Sequence, residues 1–319
     1  MNRDLSQGTP FPRVRSRMSE TPARVSLYLL AACLLAGLAS AARAQGHIKV
    51  GAWNIENLGE RPLGQDAPAL AEHLRLAGVD VLSLEEIHDT DGNNATRRNG
   101  KLDQVFALLN QQPGQDWDYV LFANRNQADT SQLCGIAWNR AKVTRVGEPF
   151  RIPVVDTPGD GFNSWDRHPH AVKFSAGNGL TDFVVIPLHM KANTAPTARQ
   201  QRAAEARELV AQLGVVRTHF RDSDIILIGD TNCLRANETA LRVFTQAGFV
   251  DLNAGDLGTF ASGGAAPFDR VFVPSGQQEF RFSRQYALVP TDRRAHDDSL
   301  SDHFLILTTI RVMPDDDQN

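Results

Sequence analysis

The chain has 319 residues, 42% hydrophobic and 22% charged, with a formal charge of −4. That size and apolar content exclude a disordered, repetitive or low-complexity chain and leave room for one large core or two small ones. The negative balance also excludes binding of polyanions through the overall field. A phosphate-bearing substrate would need local arginines or bound cations to reverse the sign at its site.

The N-terminal segment stands apart. Arg13, Arg15, Arg17 and Arg24 precede an apolar run from Val25 to Ala42 that ends in Ala42-Arg43-Ala44. A basic region, an apolar region and a small-residue cleavage site mark a secretory signal peptide over residues 1–44, with Met18 as an alternative start. Two other readings are a membrane anchor, because the run approaches the roughly 18 apolar residues of a spanning helix, and lipidation at Cys33 in Leu30-Ala31-Ala32-Cys33. Small residues in the second half (Ala36, Gly37, Ala39, Ser40) favour cleavage, and the apolar run continuing past Cys33 weighs against a lipid. The expectation is a secreted or periplasmic protein beginning at Gln45, with no transmembrane segment in the mature chain. Mass spectrometry of the exported protein checks it: an intact residue 1 or a lipidated Cys33 overturns it. Without residues 1–44, which hold six arginines and two acids, 27 basic side chains face 35 acidic ones, a charge of −8. Cys134 and Cys233 remain, either paired or as two buried thiols.

Along the mature chain, residues 48–55 (IKVGAWNI) read as a strand, 67–76 as a helix and 79–87 (VDVLSLEEI) as a nearly continuous apolar strand. A helix over 102–109 follows, with Leu102, Val105, Phe106 and Leu109 on one face. Strands are predicted at 119–122, 135–139, 171–174 and 183–188. The longest helix spans about 197–219, followed by the strand 225–228, a helix at 241–246 and strands at 271–273 and 304–310. No Pro/Gly/Ser linker interrupts this series, so residues 45–319 read as one domain. Many strand connections are too short for a crossover helix, which points to mixed or antiparallel sheets, not a doubly wound parallel sheet.

Polar residues cluster at the ends of these apolar strands. Asn54 and Glu56 end the first, and Glu85 and Glu86 the second. His189 ends another, Asp230 and Asn232 follow IILI, Asp269 precedes VFV, and Asp302 and His303 precede FLIL. One such residue ordinarily takes up a loose backbone group or meets water. Six sites of Asn, Glu, Asp and His in one chain suggest ends that converge. Converging carboxylates raise one another's pKa unless a cation neutralises them. Oxygen ligands without thiolates suit Mg²⁺, Mn²⁺ or Ca²⁺, and histidine changes charge near neutrality. Together they describe metal-assisted attack of water on an anionic ester.

The ordered motifs WNIEN, LEEI, RHPHAVKF, PLHMKAN, GDTN, DRVFV and SDHF resemble the endonuclease/exonuclease/phosphatase superfamily over nearly the whole mature chain. The resemblance implies an α/β fold: a two-sheet sandwich, mixed and largely antiparallel, flanked by helices in the four-layer DNase I-like architecture. It also implies divalent-metal-dependent hydrolysis of a phosphate ester. Matched motif by motif, Glu86 is the metal ligand, with Asn54 and Asp302 completing that shell and Glu56 close by. Asp230 aligns or deprotonates the attacking water, Asn232 orients the phosphate, and His303, held by Asp269, acts as acid or charge stabiliser. His189 contacts the scissile phosphate from the other side, and Arg167 supports substrate binding. Asp302 and His303 are neighbours and on a straight strand would point oppositely, so a bend is expected there.

Other features carry less. Asp89-Thr90-Asp91-Gly92-Asn93 reads as a solvated turn, its glycine too early for an EF-hand. Arg97, Arg98 and Lys101 are either an exposed face or backbone-phosphate contacts. His296, Asp297 and Asp298 read as a loop close to the site. His73, in the helix AEHLRL, reads as a histidine outside it. The segment 258–268 (GTFASGGAAPF) is short and glycine-rich where members of this superfamily often present bulkier residues to the substrate. The motifs resemble deoxyribonuclease-like members more than inositol-polyphosphate phosphatases, so the substrate expected is DNA or RNA, with no stable protein partner implied. The alternatives are a phosphatase or lipid-headgroup phosphodiesterase and, from another class, a non-catalytic binding or toxin-like module.

Overall fold

Two parallel strand pairs organise the molecule: β1 (His47–Leu58) beside β2 (Val81–Ile87), and β7 (Asp182–His189) beside β8 (Ile225–Asp230). A computed structural model describes residues 46–60, 64–93, 96–162, 165–262 and 265–316. The expected leader, its cleavage point and Cys33 lie outside those residues. Antiparallel strands flank each pair. The first sheet runs β11-β12-β1-β2-β4-β3, adding β3 (Trp117–Leu121), β4 (Leu133–Asn139), β11 (Tyr286–Ala287) and β12 (Ile306–Arg311). The second runs β5-β6-β7-β8-β10-β9, adding β5 (Thr144–Arg151), β6 (His170–Ser175), β9 (Phe249–Asp251) and β10 (Asp269–Pro274).

Three apolar layers separate four structural ones. Val50, Ala52, Val81, Val185, Ile226, Ile228 and Val271 fill the space between the sheets. Helices α1 (Ala67–Ala77) and α2 (Gly100–Leu109) pack Leu70, Leu74, Leu102 and Phe106 with Trp53 and Leu82 of the first sheet. Helices α3 (Pro196–Phe220) and α4 (Thr239–Gln246) pack Leu209, Leu213, Leu241 and Phe244 with Ile186 and Leu227 of the second. This is the expected mixed, largely antiparallel sandwich. Each parallel pair needs a crossover, and α1 and α3 supply them. Asn99 caps α2, its side chain accepting from the N–H groups of Lys101 and Leu102 at 3.0 Å. Cys134 and Cys233 are free, buried thiols in different layers. No described helix is long and apolar enough to cross a membrane.

Strand periodicity places the polar residues. Side chains alternate between faces, and Val50 and Ala52 face the other sheet, so Asn54 does too. By the same count His189 follows Val185, Asp230 follows Ile226 and Ile228, and Asp269 precedes Val271 and Val273. Asn54, Glu86, His189 and Asp230 sit at the C-terminal ends of the four parallel strands. β10 and the segment leading into β12 run the other way beside them, so Asp269 and His303 arrive at the same rim from their N-terminal ends.

Candidate active site

The rim is built from broken strands. Between Asn54 and Leu58, and again between Leu84 and Ile87, the β1–β2 and β2–β4 ladders lose register. Glu56, Asn57 and Glu86 there adopt left-handed backbone (φ 39°, 54° and 59°), as does Asn232 after β8 (φ 53°). Such conformations cost free energy for residues other than glycine and persist where the surroundings enforce them. At Glu86 the break turns a side chain that simple alternation would send toward the helices. Residues 302–305 are likewise not strand: Asp302 lies in a bend, His303 makes an isolated bridge to Phe260, and β12 starts at Ile306, two residues later than expected.

Those breaks bring every expected site residue into one network. The Asn54 amide donates to Glu86 Oε1 at 3.0 Å and to Asp230 Oδ2 at 3.3 Å. Asn232 donates its backbone N–H to Asp230 Oδ1 at 2.7 Å and its amide to Oδ2 at 3.1 Å. His303 Nδ1 is 2.9 Å from Asp269 Oδ2, and its Nε2 lies 3.9 Å from both Asp230 and Asp302. Opposite, His189 Nε2 is 3.7 Å from Glu86 and 3.9 Å from Asp230, and the Arg167 guanidinium reaches it at 3.0 Å. Glu56 Oε2 accepts the Asp302 N–H at 3.1 Å.

The two imidazoles are electrostatically unlike. Burial opposes charge on His303, but Asp269, Asp230 and Asp302 outweigh it and hold its pKa well above the ordinary value. Burial, then the charges of Arg167 and His303, hold His189 well below it, so this ring is neutral. With Arg167 donating to Nε2, the His189 proton sits on Nδ1, a buried atom without a hydrogen-bond acceptor among the described residues. Burial also raises Asp230 to about 6, with Asp269 and Glu86 adding repulsion and His303 opposing it. Asp302 rises to about 7, through burial and then the charges of Glu56, Glu86 and Asp230, again against His303. Acids this crowded have an excess of negative charge that a divalent cation would relieve. Glu86 and Asp302 carry the hard oxygen donors such an ion takes, whereas the Asn54 amide oxygen accepts the Glu56 N–H at 3.0 Å and would have to turn to join them.

Several supporting roles escaped the sequence reading. Glu85 is fully buried behind the site, bonded to the Ser83 hydroxyl, and burial pushes its pKa well up. It explains Gly229, whose φ is +138° and where a Cβ would press on Leu188 O and come within 2.8 Å of Glu85 Oε1. Ser301 donates to Asn54 O at 2.6 Å and accepts the His303 N–H at 3.0 Å, tying the segment before β12 to its neighbour β1. The His303 carbonyl receives the Trp53 indole N–H at 3.1 Å, and His296 Nε2 lies 3.0 Å from it. His296 belongs to a short helix, α5 (Arg293–Ser299), where a loop was expected. His73 is buried between the Trp53 and His296 rings, 4.7 and 5.1 Å from their centroids, so it lies under the site. Glu205 of α3 accepts the Trp165 and Lys191 N–H groups at 3.2 and 2.9 Å, joining the Arg167 loop to the segment after His189. Burial raises this carboxyl to about 7. Phe260 and Phe268 of the glycine-rich segment wall the His303 ring at 5.0 and 6.1 Å. Arg98 pairs with Asp103 at 2.6 Å and Arg97 bonds the Gln127 carbonyl, so both have structural partners.

An imidazole held by a buried carboxylate, facing a crowd of acids across from an arginine, suits the hydrolysis of an anionic ester. The chain belongs to the Endonuclease/Exonuclease/phosphatase family, whose model matches residues 51–303, a family of phosphoric ester hydrolases. It is similar to Deoxyribonuclease-1-like 2 of Mus musculus, 23% identical over 282 residues that cover 83% of this chain and 92% of that protein. It is also similar to Deoxyribonuclease-1 of Bos taurus, 23% identical over 300 residues covering 87% and 97%. Among solved structures, a family protein from Bacteroides thetaiotaomicron shares the fold with a TM-score of 0.59 and 18% identity, covering 86% of this chain and 97% of that one.

Proposed function

We propose that this protein is a divalent-metal-dependent phosphodiesterase that hydrolyses the backbone of DNA. The observation that carries this reading is the single network joining Glu86, Asn54, Asp230 and His189 to the His303–Asp269 pair. Glu86, Asn54 and Asp302 would hold the cation, Mg²⁺ or Mn²⁺, which supplies Lewis-acid stabilisation of a phosphoryl oxygen. Asp230, fixed by two bonds from Asn232 and one from Asn54, accepts a proton from the attacking water. Its pKa of about 6 leaves it mostly ionised at neutral pH and basic enough for that task. The His303 imidazolium faces the charge that develops on the phosphate and can give its Nε2 proton to the leaving oxygen. Asp269 keeps the ring charged and oriented. Arg167 adds a permanent positive charge on the other flank and holds His189 in one tautomer. His189 orients by hydrogen bonding, since it carries no charge of its own.

Plasmid DNA, RNA, inositol phosphates and sphingomyelin, assayed side by side with Mg²⁺ and with Mn²⁺, test the substrate. DNA should be cleaved with kcat/KM at least about tenfold above every small ester. Turnover of inositol phosphates or sphingomyelin with inert DNA would replace this reading with a phosphatase or lipid-headgroup phosphodiesterase.

A further inference from the structure

We propose that the cavity of about 340 Å³ between the first turns of α3 and the β8–α4 connection is a second phosphate site, which takes a phosphate of the same DNA beyond the one being cleaved. This rests on the nuclease reading above. Arg199, on the first turns of α3, and Arg235, three residues after Asn232, both line this cavity and are exposed. Neither makes an ion pair with a carboxylate among the described residues, in a chain whose acids outnumber its bases. The one carboxylate in the wall, Glu238, is already committed: Oε2 accepts from Arg202 at 3.0 Å and Oε1 from the Leu234 N–H at 2.7 Å. Asn237 adds an amide, and no aromatic ring lines the space, so it offers nothing for a base to stack on. Two unneutralised guanidiniums and an amide suit a phosphate.

The cavity is also held at a fixed place relative to the reacting groups. Arg202, fully buried, donates to Glu238 of the cavity wall and to the carbonyls of Lys191 and Asn193 at 2.9 and 2.8 Å. One side chain of α3 thereby ties down the connection that leaves His189 and the one that leaves Asp230.

Fluorescence anisotropy with a labelled DNA duplex in EDTA tests the site without catalysis. The parent should bind with a salt dependence that Arg199→Gln/Arg235→Gln makes shallower by about two, close to one for each phosphate no longer neutralised. Affinity at 50 mM salt should fall at least about tenfold, while Arg199→Lys/Arg235→Lys keeps most of the slope. With metal added, the glutamine variant should turn over bis(p-nitrophenyl) phosphate at the parental rate and show a raised KM on duplex. Equal duplex affinity and slope in parent and glutamine variant would overturn the proposal, as would a parent that binds no duplex. A parent that binds through these arginines but cleaves no DNA would uphold the anion site and sink the nuclease assignment alone.

Discussion

His303→Ala should lower kcat on DNA by at least about a hundredfold, the usual scale for a positioned acid or electrostatic group. Asp269 keeps this imidazole charged and oriented toward the other acids of the site. Folding should survive, because the Trp53 and His296 contacts are made to the backbone carbonyl of residue 303, which alanine retains. Asp269→Asn should act through the same group: it removes the main charge raising the His303 pKa, so the high-pH limb of the rate profile should move to lower pH. Combining the two should cost little more than the worse of them, since groups serving one transition state do not add. The proper control is His47, exposed at the start of β1, and not His73, whose ring packs under the site. Wild-type turnover in His303→Ala would remove this residue from the mechanism.

Exhaustive chelation should abolish turnover, and Mg²⁺ or Mn²⁺ should restore it. The physical ground is the crowd of acids: Asp302 sits near 7 and Asp230 near 6 because burial and mutual repulsion disfavour their ionised forms. Any cation that binds there stabilises the folded chain. A concentration a hundredfold above Kd contributes about 2.7 kcal/mol, or roughly 5–10 °C in Tm. Glu86→Gln should lose both the rescue and the thermal shift. Full activity after chelation, or a shift that persists in Glu86→Gln, would refute the assignment. Acidification should weaken cation binding as the pH falls through about 7 and then 6, since Asp302 and Asp230 must be ionised to attract it.

Much of this rim was legible because strands alternate and the polar residues interrupt that alternation at strand ends. What the motifs could not convey was the backbone. Asp302 and His303 serve one site because the chain bends before β12, and Glu86 turns into it through a left-handed residue that its type does not announce. Glu85 and Glu86 are alike as letters; only the inward count from Val81 and Ser83 separates the fully buried acid from the partly buried one at the site. β5 went unseen because TRVGEPFR, at a sheet edge, has no buried face to impose a period. α5 went unseen because RRAHDDS buries only His296, and its start signal is a single cap, Asp292 accepting from the Ala295 N–H. The supporting residues Ser301 and Glu205 bond backbone groups far away in sequence, which no local pattern records.

The pairing of β12 with β1 makes the rim non-local. Ser301 bonds Asn54 O across 247 residues of sequence, and Asp302 and His303 come with it. Contacts that distant require a long loop to close before they contribute, which delays them during folding. The β1–β2 and β7–β8 pairs can form from nearer segments, whereas the imidazole joins their acids only once β12 has met β1.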